Sequence, residues 1–109
     1  MSHPIAEDAL DNIDVMSVIK DDSVSLSIII TGRLEADEET KRRLFEKINN
    51  YLTYINSEEF MEEHGQPDSS RIEIKISLKK EPSKEILEII EQIKPRVKSW
   101  NARLTYAVS

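Results

Sequence analysis

The chain has 109 residues, of which 39% are hydrophobic and 33% charged, with a formal net charge of −6 and no cysteine. That length supports one domain rather than two. The missing cysteines exclude disulfides, thiol nucleophiles and thiolate metal sites and fit a reducing cytoplasm, while the acidic balance argues against a nucleic-acid surface.

Residues 1–11 read as a flexible acidic tail with Pro4 and no apolar period, and residues 12–109 as a single α/β domain. No apolar run marks the start as a signal peptide, and no stretch approaches the roughly 20 apolar residues that span a bilayer. "NIDVMSVIK" reads as a first strand, with Ile13, Val15 and Ile19 on one face and Met16 and Val18 on the other. "KDDS" (Lys20–Ser23) reads as a turn, because Asp and Ser bond locally to the backbone. "SVSLSIIIT" alternates as a second strand, turning Val24, Leu26, Ile28 and Ile30 one way. The short link makes these two strands an antiparallel hairpin.

Gly32 ends the second strand, and Asp37 is the expected N-cap of a helix whose first turn holds Glu38 and Glu39. The helix is expected over about Glu38 to Ser57, continuing raggedly through Phe60 and Met61. Its apolar stripe is Leu44, Phe45, Ile48, Tyr51, Leu52 and Ile55, with Lys47, Asn50 and Tyr54 on a polar flank. On this reading Ile48→Asp unfolds the domain, whereas Tyr54→Ala changes stability by no more than about 0.5 kcal/mol.

"HGQPDSS" is a loop by its Gly, Pro and Asp content. "RIEIKISLKK" alternates strictly, with Ile72, Ile74, Ile76 and Leu78 on one face, so this third strand has one buried side and one wet side. Pro82 and Ser83 open a second helix with a stripe of Ile86, Leu87, Ile89, Ile90, Ile93 and Val97, which Pro95 is expected to kink or stop near Lys94. "ARLTYAVS" is the fourth strand.

The order is therefore ββαβαβ. Strand–helix–strand links of this length favour right-handed parallel crossovers. The expected fold class is α+β or α/β: a two-layer sandwich with a four-stranded mixed sheet and two helices on one face. Strand order 1-2-3-4 is the first choice and 2-1-3-4 the alternative.

Chemistry is sparse. His3 and His64 are far apart, and "EEFMEEH" (Glu58–His64) fits no metal-ligand spacing. With only Gly32 and Gly65 there is no phosphate-binding glycine loop, and no serine sits in a GxSxG elbow. No catalytic, cofactor-binding or metal-binding residue is assigned, and no cofactor is expected. The open sheet face is expected to carry Met16, Val18 and Ile29 among polar residues that include Thr105. Tyr54 and Trp100 add aromatic groups of the kind enriched in interfaces. These six are the candidate partner-interface residues.

The hairpin with its early "ID" and the helix "L-x-x-K-I-N-x-Y-L-x-x-I" (Leu44 to Ile55) resemble DUF6572, a family of small bacterial proteins of unknown function. Pro67 before the third strand and the "P-S" helix start at Pro82 and Ser83 are also similar. The likeness covers most of residues 12–108. It implies a bacterial intracellular protein and brings no activity or site residue with it.

The leading expectation is a non-enzymatic protein–protein interaction module or homodimer, with no nucleic-acid or membrane partner. One alternative is a small-molecule sensor or small enzyme with a pocket at the C-terminal end of strands two and three, near Gly32, Arg33, Lys79 and Lys80. Another is an acidic, immunity-like inhibitor of a toxin.

Overall fold

The computed structural model describes Ile5, Leu10 and residues 13–19 and 23–108. Lys20 to Asp22 of the expected turn, together with His3 and Pro4, lie outside the described residues. Four strands are present: β1 (Val15–Val18), β2 (Val24–Ile30), β3 (Ile72–Leu78) and β4 (Arg103–Val108). Three helices join them: α1 (Glu38–Ile55), α2 (Glu58–His64) and α3 (Lys84–Ser99). The sheet runs β1-β2-β3-β4, the first of the two expected orders. β1 is antiparallel to β2, while β2, β3 and β4 are parallel, giving a mixed sheet.

Register explains the core. Val24 pairs with Ile72, Leu26 with Ile74, Ile28 with Ile76 and Ile30 with Leu78, and all eight side chains are buried. Paired residues share a face, so two period-2 apolar rows merge into one. The stripes Leu44, Ile48, Tyr51, Leu52, Ile55 and Ile86, Ile90, Ile93, Val97 are buried with them. Each such side chain contributes about 1.5–3 kcal/mol. The layer architecture is thus the expected one. Phe45, read as part of the stripe, sits at its margin and is exposed.

The element order is ββααβαβ, not ββαβαβ, because the long helix is interrupted. α1 ends at Ile55, and the Asn56 amide N–H donates to Leu52 O at 3.2 Å. Ser57 then caps a new helix, its Oγ accepting from the Phe60 N–H at 3.2 Å. Glu58 and Glu59 follow in the first turn, where carboxylates suit the helix dipole. The break re-aims the chain so that Phe60 is fully buried.

α1 itself starts as expected, with Asp37 accepting from the Thr40 N–H at 2.7 Å. α3 does not stop at Pro95; it continues to Ser99. Pro95 is on the exposed side, where water can take the carbonyl left without its intrahelical donor. Two residues of the stretch read as a tail, Ile5 and Leu10, are buried in the core cluster.

Candidate functional site

The outward side of β1 and the polar clamp behind it hold the least ordinary chemistry in the molecule. The clamp begins on α1. Arg43, Lys47, Asn50 and Tyr54 recur at helical spacing on one flank, the flank expected to face water. Ile5 and Leu10 lie against it. Arg43 Nη1 donates to Ile5 O at 2.8 Å, and Asn50 Nδ2 donates to Leu10 O at 3.0 Å. Lys47 is in consequence only 4% exposed.

Asp14 joins three elements. Its Oδ1 accepts from Lys47 Nζ at 3.0 Å, and its Oδ2 accepts from the Ile29 N–H at 3.0 Å. Its own N–H donates to the Tyr51 hydroxyl at 2.9 Å, which in turn donates to Ser27 O at 2.8 Å. The β1–β2 ladder ends at the pair Val15–Ser27. The Asp14 carboxylate therefore satisfies a β2 amide just beyond the last rung. Burial pushes the Tyr51 phenol up to about 12; the Asp14 N–H opposes that rise and the Asp14 charge adds to it. These groups bond to one another, with part of the Asp14 carboxylate in reach of water, and together they tie β1 to α1 and β2.

β1 is different. Its four residues are all exposed, with Val15 at 42%, Met16 at 37% and Val18 at 60%, and Ile19 just beyond at 54%. Val15 to Ile19 contains no charged side chain. The backbone has a definite polarity. The Ile19 N–H donates to Ser23 O at 2.7 Å, on the same pairing diagonal that matches Ser17 to Ser25 and Val15 to Ser27. In an antiparallel ladder such hydrogen-bonded residues alternate with ones whose N–H and C=O point away. Val15, Ser17 and Ile19 thus face β2, while Met16 and Val18 turn their backbone groups to the free edge. Among the described residues nothing covers that edge.

The faces of β1 are the reverse of those expected. Met16 pairs with Leu26 and Val18 with Val24, both core residues, so Met16 and Val18 belong to the helix side. They remain exposed because no helix reaches fully over the edge strand. The Tyr54 hydroxyl lies 3.9 Å from Met16 Sδ, and its ring meets Phe60 edge-on at 5.4 Å. Tyr54 is therefore half-buried beside β1, not a free surface aromatic. Burial, reinforced by the charges of Glu63 and Glu59, raises its pKa. Beyond Val18, Glu63, His64 and Gly65 line an open concavity of about 500 Å³.

Of the six candidate interface residues, then, Met16, Val18 and Tyr54 come together on the helix side of β1. Ile29 and Thr105 lie on the opposite, open face. There Glu73 accepts from Ser25 Oγ at 3.0 Å and from Thr105 Oγ1 at 3.1 Å, as a solvated polar sheet surface does. Trp100 is 52% exposed at the end of α3, where it lines a small groove with Asn49, Leu52, Thr53 and Arg96. It does not close the core.

At the C-terminal ends of β2 and β3 the following loops are tied together by backbone hydrogen bonds. The Lys79 N–H donates to Ile30 O at 3.0 Å and the Ser83 N–H to Leu34 O at 3.0 Å, with Leu34 and Pro82 both buried. Among the described residues no three His, Asp or Glu side chains converge as metal ligands do, and no helix is long and apolar enough to cross a membrane.

Comparison with protein families gives a match over nearly the whole chain. The family of unknown function DUF6572 matches residues 5–109. The chain belongs to DUF6572. No curated protein and no solved structure matches it. The residues on which the resemblance to DUF6572 rests include Asp14 of the "ID" and Lys47 and Tyr51 of the helix pattern, and these three bond to one another within the clamp. Nothing in their spacing announces this, because Asp14 is 33 residues from Lys47 and the cover over that flank comes from Ile5 and Leu10.

Proposed function

We propose that this protein is a non-enzymatic interaction module that binds an extended, uncharged protein strand along the free edge of β1. The carrying observation is that Val15–Ile19 is exposed and free of charge while Met16 and Val18 turn toward the free edge backbone groups that find no partner among the described residues. Edge strands in soluble proteins are ordinarily blunted by charge, proline or cover, and an edge left open is a template for strand addition. The Asp14 clamp supports the same reading, since it fixes the strand that does the binding. A metabolite site at the strand ends is a second reading that rests on the positions of Gly32, Arg33, Lys79 and Lys80 alone. A toxin-inhibitor role rests on the net charge of −6 alone. A reducing compartment such as the cytoplasm fits the lack of cysteine.

The test is site-specific photo-crosslinking in cells, with the reactive residue in place of Val18 or, as a control, of Lys75 on the open face. The expected result is an adduct to one defined segment of one protein from position 18 and not from position 75. Equal labelling at both positions, or none at either, contradicts the reading.

A further inference from the structure

Resting on the edge-pairing reading, we infer that the strand added to β1 is β1 of a second copy, antiparallel, about a two-fold axis through Ser17. The backbone selects this register. Only Met16 and Val18 of β1 turn their N–H and C=O groups outward, and the Asp14 N–H is already held by the Tyr51 hydroxyl. Centring the axis on Ser17 sets Met16 of one copy against Val18 of the other. Each such pair exchanges its N–H and C=O groups in both directions, which leaves neither residue unsatisfied. Centring on Met16 would pair that residue with itself and set Val18 against Asp14, whose N–H is already held.

The side chains agree with the backbone. On the helix side Met16 meets Val18 of the second copy, next to Tyr54 and the concavity lined by Glu63, His64 and Gly65. On the open side Ser17 meets its own copy, and Val15 meets Ile19. Apolar thus faces apolar throughout, and hydroxyl faces hydroxyl. Two-fold association requires this kind of self-complementarity. Strands this short form an interface below the roughly 1,200 Å² of stable complexes, so the dimer is concentration-dependent. The charge of −6 on each copy opposes it at low salt.

The experiment is sedimentation equilibrium at physiological salt, up to about 1 mM protein, on the wild type and two double variants. Both sites are exposed, and circular dichroism confirms folding. Met16→Lys/Val18→Lys sets lysine against lysine across the axis and is expected to weaken self-association on the order of a hundredfold. Met16→Lys/Val18→Glu sets lysine against glutamate in this register and is expected to restore it. A wild type that stays monomeric, a lysine pair that dimerises as well as the wild type, or a charge-matched pair as weak as the lysine pair each overturns the inference. A monomeric wild type whose position 18 still crosslinks to another protein overturns only the second-copy assignment. A monomeric wild type with no crosslink overturns the edge reading as well.

Discussion

Asp14 and Lys47 are unequal partners, and the inequality is measurable. The Lys47 side chain is 5% exposed and that of Asp14 is 23% exposed. Removing the carboxylate takes the opposite charge away from an ammonium in the interior and frees the Ile29 N–H, whereas removing the ammonium leaves a carboxylate that water can reach. Asp14→Ala is therefore expected to cost about 3 kcal/mol and Lys47→Met about 1 kcal/mol, read by urea denaturation. The reverse ranking would contradict the clamp. Tyr54→Ala, placed near neutral by helix periodicity alone, is now expected to cost about 1–2 kcal/mol through its ring contact with Phe60. Ile48 is buried, so Ile48→Asp still unfolds the domain.

Two residues set pH limits of opposite sign. The Tyr51 phenol has a folded-state value of about 12, above its ordinary 10. Its contribution is whole below pH 10 and is lost as pH rises through 12; Tyr51→Phe removes that alkaline slope. Glu39 is held down to about 2, from an ordinary 4.5, by hydrogen bonds from Arg42 and Arg43. Its contribution is whole above pH 4.5 and is lost as pH falls toward 2. Glu39→Gln should flatten the acid limb of the stability profile over that window, and an unchanged limb would count against the arginine contacts.

At the scale of elements, legibility followed the clarity of the period. β2 and β3 have apolar residues in one phase and mostly polar ones in the other, so strand, face and neighbour order could all be read. β1 has apolar residues in both phases, Ile13, Val15 and Ile19 against Met16 and Val18, so periodicity could not choose a face. Pairing with Leu26 and Val24 chose it instead. α2 was hidden because the apolar spacing runs on through Phe60. The signal was present in Ser57 followed by two glutamates, the same pattern that marked the start of α1 at Asp37. Ser57→Ala is expected to cost about 1 kcal/mol. It should speed amide exchange in α2 while leaving β3 protected. Uniform acceleration across both elements would mean that α2 is not a separately capped unit.

At the scale of the molecule, the fold has helices over one face of a four-stranded sheet and an edge strand that they do not fully cover. Met16 and Val18 were named as interface candidates for an open face that they do not occupy, and Tyr54 for its aromatic ring. That they lie together while Ile29, Thr105 and Trp100 lie elsewhere depends on strand register, which local sequence does not encode. The clamp was not legible at all, since its cover comes from Ile5 and Leu10 in a stretch without period. Residue-resolved amide exchange along β1, in dilute and in concentrated protein, tests the account most directly. The Val15, Ser17 and Ile19 amides should be protected at both concentrations. Those of Met16 and Val18 should exchange rapidly when dilute and slow down as strands pair. Protection of Met16 and Val18 in dilute protein, or rapid exchange there at every concentration, would contradict it.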